Sequence, residues 1–269
     1  NPYNHLSFLT SQHATQLQVS RYIVNAVLGA WCWDFLTSLW EEYTIFRKRV
    51  TLPDLGYIFA RYASTPYIFA KILPFQIALT WSQCNTIRMV IGVFGLLAFS
   101  LNSLLFLFRI FAVFCGRRLI IGIFTFLWIG VFACSLTSPF AMPAQHLGPT
   151  GYCVSAQVKK FGISGIVAAA VYDTLVFLAI TWELSLNAPV ESPRDRMKAV
   201  VSGAGMGRIS KSLLQGGQLY YLMTVGLNIC AVVLVLTPSV PIAYSNVMIT
   251  PNIALQNAMA SRVFRKLKL

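Results

Sequence analysis

The sequence predicts an all-α membrane protein, a bundle of seven transmembrane helices with its N-terminus outside and its C-terminus in the cytoplasm. Hydrophobic residues make up 57% of the 269 residues and charged residues only 11%, which is too little polar surface to coat a soluble globule. Seven stretches are apolar over about 20 residues, the length that a helix needs to cross a hydrocarbon core of about 30 Å. Basic residues concentrate in every second connection between these stretches.

Each apolar stretch is continuous rather than alternating, which favours helices over the strands of a membrane barrel. The first 20 residues do not resemble a cleavable signal peptide, so we expect the first span to insert as its own signal anchor. The chain is treated as one domain, residues 1–269, with a cytoplasmic loop at 184–218 and a basic juxtamembrane tail at 260–269. The predicted spans are 22–40, 55–74, 89–108, 119–136, 163–183, 219–236 and 240–259.

The seventh span is the most polar of the seven. A helix with this composition is either enclosed by its neighbours or lines a cavity. Its polar residues include Ser245, Asn246, Thr250, Asn252, Gln256 and Asn257.

The distribution of lysine and arginine predicts the orientation, because loops rich in these residues stay in the cytoplasm. Only Arg21, Arg88, Lys159 and Lys160 fall on the opposite side, which we assign to the outside. The net charge of +13 therefore indicates membrane topology rather than nucleic acid as a partner. The tail either lies along the inner leaflet or acts as a stop-transfer anchor. The basic residues assigned to the cytoplasmic side are Arg47, Lys48, Arg49, Arg109, Arg117, Arg118, Arg194, Arg196, Lys198, Arg208, Lys211, Arg262, Arg265, Lys266 and Lys268.

Two of the six cysteines, Cys84 and Cys153, fall on the outer face, where the environment permits disulfides. We predict a bond between them, which requires that their Cα atoms approach within about 7 Å. The other four are expected to be free thiols, because they lie within spans or at the cytoplasmic end of the third span: Cys32, Cys115, Cys134 and Cys230.

Asp34 in the first span and Arg61 in the second lie at the same predicted depth. Each is six residues from the cytoplasmic end of its span, which corresponds to about 9 Å. A charge at such depth is costly unless it is paired, so we predict an ion pair between these neighbouring antiparallel helices. A structural pair that sets the helix register and a functional switch are both consistent with this pattern.

Asp173 lies near the middle of the fifth span, with no basic residue at matching depth. Neutral candidate partners are Asn102 and Ser103 on the third span and Asn228 on the sixth, and Asn252 belongs to the polar seventh span. Asp173 is therefore either a buried carboxyl satisfied by hydrogen bonds, or a group that binds a ligand or senses protons.

No enzyme is predicted, and with it no catalytic residue, metal or cofactor. Gly162–Gly165 matches the Gly-x-Ser-Gly motif of rhomboid proteases, but no histidine follows His146 to act as the base. The spans contain no histidine cluster for zinc, and the seventh span contains no lysine for a retinal Schiff base.

Several segments resemble a family of fungal, mainly basidiomycete, multi-pass proteins whose N-terminal part is called domain of unknown function 6533. Residues 14–74 resemble that domain. The family has no established function to transfer. The segments that carry the resemblance are Gln16–Val24, Trp33–Phe35, Leu52–Pro53, Arg61–Tyr62, Leu107–Phe114, Tyr172–Phe177 and Ala260–Phe264.

The resemblance implies that four charged residues form a recurring framework: Asp34, Arg61, Arg109 and Asp173. The chain departs from the family at Gln215–Gly217, where members often have Arg-Asp-Gly. It also has Phe111 and Phe114 where tyrosines are common.

The leading functional hypothesis is a receptor-like seven-helix sensor in the plasma membrane. Its expected partners are the lipid bilayer, a small-molecule ligand and a cytoplasmic signalling protein. G-protein coupling is only an analogy, since the third span ends in Arg109-Ile-Phe rather than Asp-Arg-Tyr. The alternatives are a small-solute or proton transporter and a non-catalytic membrane scaffold or subunit.

Overall fold

The computed structural model describes residues 10–47, 51–76, 80–141, 144–146, 153–155, 160–186, 208–237 and 240–268. Within these residues the chain forms seven long helices. Helices enter the predicted loop 184–218 from both ends, because the fifth helix continues to Leu186 and the sixth begins at Arg208. Residues 187–207 lie outside the described residues. The helices are α1 (Ser11–Phe46), α2 (Leu52–Gln76), α3 (Trp81–Val113), α4 (Arg118–Ser135), α5 (Ser164–Leu186), α6 (Arg208–Leu236) and α7 (Ile242–Lys268).

Local sequence signals explain several helix ends. The Thr10 side chain accepts a hydrogen bond from the His13 backbone N–H at the start of α1, and the Gln83 side chain accepts one from the Thr80 N–H at the start of α3. Such bonds satisfy N–H groups that have no partner within the helix. Between α3 and α4 the chain turns at Gly116, whose φ of 95° is readily adopted only by glycine.

The connection between α4 and α5 contains the described elements that are not long helices. A single helical turn (Ser138–Ala141) is followed by β1 (Ala144–His146) and β2 (Cys153–Ser155), which pair antiparallel with His146 opposite Cys153. The all-α fold class is confirmed for the described residues, apart from this small two-stranded sheet, which the sequence did not reveal. Strands of three residues are too short to show the alternation by which strands are recognised in a sequence.

Helix α7 occupies a central place in the bundle. It packs against α1, α2, α3 and α6, while α3 also packs against α2, α4 and α5. We call the end of the bundle that contains Cys84 the disulfide end, and the end that contains Lys268 the tail end. Helix α7 continues through the predicted tail, 260–269, as far as Lys268.

The bundle buries polar residues alongside a hydrophobic core, and it exposes many large apolar side chains on its exterior. Trp40 is 77% exposed, and Leu119 and Phe126 are each 75% exposed, whereas Asn102, Asp173 and other polar residues are fully buried. So many exposed large apolar side chains indicate contact with lipid. The apolar helices thus show the properties of an integral membrane protein.

Within the described residues, four helical segments are long and apolar enough to cross a membrane. They are 11–45, 82–113, 118–141 and 161–183. Helix α2 carries Asp54, Arg61 and Lys71, and α7 carries many amides and basic residues, which lowers the hydropathy of both. In α6 the apolar part is shorter, Leu222–Leu236.

Candidate functional site

The first cluster of interest is a polar core made of Asp173, Asn228, Asn252 and Gln256, which joins α5, α6 and α7. Asp173 Oδ2 accepts a hydrogen bond from Asn228 Nδ2 at 2.7 Å and another from Gln256 Nε2 at 2.5 Å. Asn228 Oδ1 in turn accepts one from Asn252 Nδ2 at 2.6 Å. All four side chains are at least 99% buried, so every polar atom among them needs a partner inside the bundle.

Helical spacing explains why α7 supplies two of these residues. Asn252 and Gln256 are four residues apart and therefore lie on the same face of α7. Pro251 directly precedes Asn252 within the helix. Since proline has no N–H to donate to the carbonyl of residue 247, α7 has one fewer backbone bond next to the polar core.

Of the residues that the sequence analysis named around Asp173, the structure brings together Asp173, Asn228 and Asn252. Asn228 contacts Asp173 directly, and Asn252 reaches it through Asn228. Asn102 does not join them: its Oδ1 accepts a hydrogen bond from Asn257 Nδ2 at 2.8 Å, and the same nitrogen donates to the Ala60 carbonyl. Asn102 thus belongs to a separate contact that joins α2, α3 and α7.

The second cluster is a charge cluster made of Asp34, Glu42, Arg61, Arg262 and Arg265, on α1, α2 and α7. Arg61 is 1% exposed, with Nη1 3.1 Å from Asp34 Oδ2 and Nε 2.7 Å from Glu42 Oε1. Its Nη2 also donates to Ser38 Oγ at 2.5 Å. The pair that the sequence predicted between Asp34 and Arg61 is therefore present, but it is part of a larger network.

Helix α7 contributes the remaining cations of the charge cluster. Arg262 Nε lies 3.1 Å from Asp34 Oδ1. Arg265 Nε lies 2.6 Å from Glu41 Oε2, and its Nη1 donates to the hydroxyl of Tyr57 at 3.2 Å. These contacts attach the end of α7 to the first two helices. On the third helix, Arg109 Nη2 donates to the Ala260 carbonyl at 3.4 Å.

A further ion pair closes the tail end of the bundle, where Lys268 contacts the buried carboxyl of Asp54. The same carboxyl accepts hydrogen bonds from the Thr51 N–H and hydroxyl, at 2.6 and 2.7 Å. Burial raises the pKa of Asp54, but the hydrogen bonds from Lys268 and Thr51 outweigh burial and hold that pKa below its usual value. Asp54 thus remains an anion that holds the end of α7 against the start of α2.

At the disulfide end, Cys84 near the start of α3 is bonded to Cys153 in β2, with the Cα atoms 5.9 Å apart. The disulfide predicted from the sequence is confirmed. Cys32, Cys115, Cys134 and Cys230 are free. Arg88, one turn further along α3, donates from Nη1 to the Pro139 carbonyl at 2.9 Å, so the connection between α4 and α5 is fastened to α3 at two places.

Sequence reasoning missed Glu42, Gln256 and Arg265 as members of these clusters. Glu42 lies beyond the predicted end of the first span, so the search for charges within spans did not reach it. Its spacing was an available signal, because Asp34, Ser38 and Glu42 recur every four residues and all three contact Arg61.

The polar core and the charge cluster are both buried in the bundle, and α7 contributes residues to each of them. Within the described residues, no group of three or more histidine, cysteine, aspartate or glutamate residues is placed to hold a metal ion. Comparison with known proteins adds no assignment: no family model matches the chain, and no curated protein matches it.

Proposed function

We propose that the chain is a receptor-like sensor that crosses the membrane seven times, with the N-terminus outside and the tail in the cytoplasm. The observation that carries this proposal is the position of α7, which takes part in both the polar core and the charge cluster. The sensor has no reaction of its own. Its partners are a small-molecule ligand on the bundle and a cytoplasmic signalling protein, and its location is the plasma membrane.

The burial of polar residues supports seven crossings rather than four. Helices α2 and α7 have 25 and 27 residues, which is more than the ~20 needed to span a bilayer. Their least apolar side chains, among them Arg61, Gln256 and Asn257, are covered by neighbouring helices. These residues lower the hydropathy of α2 and α7 without facing lipid, as is usual for polar groups inside membrane bundles.

Two independent features support the orientation. Basic residues gather in the connections and tail that we assign to the cytoplasm. The disulfide lies at the opposite end of the bundle, which is consistent with an oxidising environment outside the cell. The resemblance to the fungal multi-pass family is a further part of the proposal, and it agrees with an integral membrane location.

The proposed signal passes along α7. Gln256 donates to Asp173, and Arg262 is six residues further along the helix, a rise of about 9 Å. A species that neutralises or binds Asp173 changes the hydrogen bond to Gln256 and shifts α7. The helix bends most readily at Pro251, where one backbone hydrogen bond is missing. Because Arg262 and Arg265 hold α1, the shift rearranges the charge cluster that faces the cytoplasm.

Asp173→Asn tests this transmission without any ligand, because it replaces the carboxyl group of the polar core by an amide of the same shape. In lipid nanodiscs we expect amide hydrogen exchange to change not only around residue 173 but also in peptides covering 258–268 and 34–46. A coupling of about 1 kcal/mol corresponds to an approximately fivefold change in the opening equilibrium of those peptides.

Thr250→Val is the matched control, since Thr250 is a buried residue of α7 two positions from Asn252 and hence on another face. It should leave exchange at 34–46 unchanged. A response to Asp173→Asn that stays within 164–186, 222–236 and 247–257 would contradict the sensor.

A small-solute or proton transporter is the second candidate, favoured by the complete burial of Asp173 without a cationic partner among the described residues. A transporter moves solute or protons across proteoliposomes and loses that flux in Asp173→Asn, whereas a sensor shows no flux with either chain. A non-catalytic scaffold shows neither flux nor transmission of the change along α7.

A further inference from the structure

The polar core contains three buried oxygen atoms that receive no hydrogen bond. They are Asp173 Oδ1, Asn252 Oδ1 and Gln256 Oε1. Each of the three side-chain amides donates from its nitrogen to an oxygen of the core. The unsatisfied atoms are thus all acceptors, and the core has an excess of oxygen lone pairs.

The three oxygen atoms belong to groups that are already connected. Asp173 Oδ1 shares its carboxylate with the Oδ2 atom that accepts from Asn228 and Gln256, and Gln256 Oε1 shares its amide with the Nε2 atom that donates to Asp173. Asn252 is held beside them through Asn228. A buried acceptor without a partner costs about 1–3 kcal/mol, so three such acceptors in one connected core leave the core incompletely satisfied.

Charge identifies the class of occupant. The Asp173 carboxylate is fully buried, and no cationic side chain of the described residues forms an ion pair with it. Asp34, by contrast, contacts two arginines. A water molecule could donate hydrogen bonds to the oxygens, but it would supply no counter-charge to an ionised Asp173. A small cation would supply both a counter-charge and a partner for the unsatisfied oxygens, since it neutralises the carboxylate and is coordinated by the amide oxygens.

We infer that the polar core binds one small monovalent cation, Na⁺, coordinated by Asp173, Asn252 and Gln256. One carboxylate and two neutral amides are hard oxygen ligands. Their single negative charge matches Na⁺ better than Ca²⁺, whose sites in proteins usually contain several carboxylates. This inference concerns the same residues as the proposed sensor and names Na⁺ as an ion that would set the position of α7.

The test is thermal unfolding of the purified protein in detergent, titrated with NaCl against choline chloride at equal ionic strength. Binding to the folded state alone raises the Tm, and at concentrations far above Kd the rise should reach about 5 °C. Asp173→Asn should abolish the saturable rise, Gln256→Met should shift it to higher NaCl, and Thr250→Val should retain it. Acid should weaken it as well, because protons compete with Na⁺ for the carboxylate.

A second measurement keeps the inference testable if a variant fails to fold. Wild-type protein should bind ²²Na⁺ saturably, close to one ion per chain, and unlabelled NaCl should displace the tracer. Equal Tm in NaCl and choline chloride, no saturable ²²Na⁺ binding, or an undiminished Na⁺ effect in Asp173→Asn would each overturn the inference. If Na⁺ binds but exchange at residues 34–46 does not respond to Asp173→Asn, the cation site is supported and the sensor is contradicted. If that exchange responds but Na⁺ does not bind, the sensor is supported and the cation site is contradicted.

Discussion

Replacing Arg61 with methionine should destabilise the protein by about 3–5 kcal/mol, the usual effect of removing one partner from a buried ion pair. Arg61 contacts Asp34 and Glu42, and both carboxylates are buried. Its loss leaves Glu42 with hydrogen bonds from Tyr57 and Ser38 and a distant Arg265. The free energy of unfolding, measured by denaturant titration in mixed micelles, should fall accordingly.

Arg118→Met is the control, because Arg118 is an exposed cation at the start of α4, and such residues contribute little to stability. Arg61→Lys should give an intermediate loss, since lysine keeps the charge but not the fork of donors that reaches Asp34 and Ser38. Combining Arg61→Met with Asp34→Asn should destabilise less than the sum of the single changes. If Arg61→Met were no more destabilising than Arg118→Met, the charge cluster would not be a structural centre of the bundle.

The second large effect concerns the disulfide, whose cysteines are 69 residues apart in sequence. Closing a loop of this length stabilises the folded state by about 4 kcal/mol on the chain-entropy estimate. In a domain of this size, Cys84→Ser should therefore lower the Tm by about 10 °C. Thermal unfolding with and without a reducing agent provides the measurement.

The variants of the two cysteines should be equivalent. Cys153→Ser and the double variant should lower the Tm as much as Cys84→Ser does, because each removes the same bond. Reduction should then have no further effect on any of them. Cys230→Ser, at an exposed free thiol, should leave the Tm unchanged. Unequal losses or an unchanged Tm in Cys84→Ser would show that the bond does not hold the disulfide end together.

Hydropathy predicted where the seven helices lie but not where they end. The first span was predicted at 22–40, whereas α1 runs from Ser11 to Phe46. Hydropathy reports the part of a helix that suits lipid, while the helix itself continues as long as its backbone bonds and side-chain contacts allow. The extra turns of α1 contain Glu41 and Glu42, which is why the sequence revealed only part of the charge cluster.

Depth along a helix predicted some partners and not others. It placed Asp34 beside Arg61, and the structure has them in contact. It also placed Asn102 near Asp173, but Asn102 bonds to Asn257 instead. Residues at the same depth meet only if their helices are rotated to face one another. That rotation depends on the packing of all the helices, which a single sequence does not reveal.

Labelling from the two sides of the membrane tests whether the bundle crosses it seven times with the N-terminus outside. One cysteine is introduced by Ser11→Cys, at an exposed position at the start of α1, and another is added after Leu269. The exposed native thiols Cys115 and Cys230 are replaced by serine. An impermeant maleimide should label position 11 in intact cells and the added cysteine only after permeabilisation, because seven crossings put the two ends on opposite sides. Labelling of both positions from the same side, as four crossings would give, would rule out seven crossings.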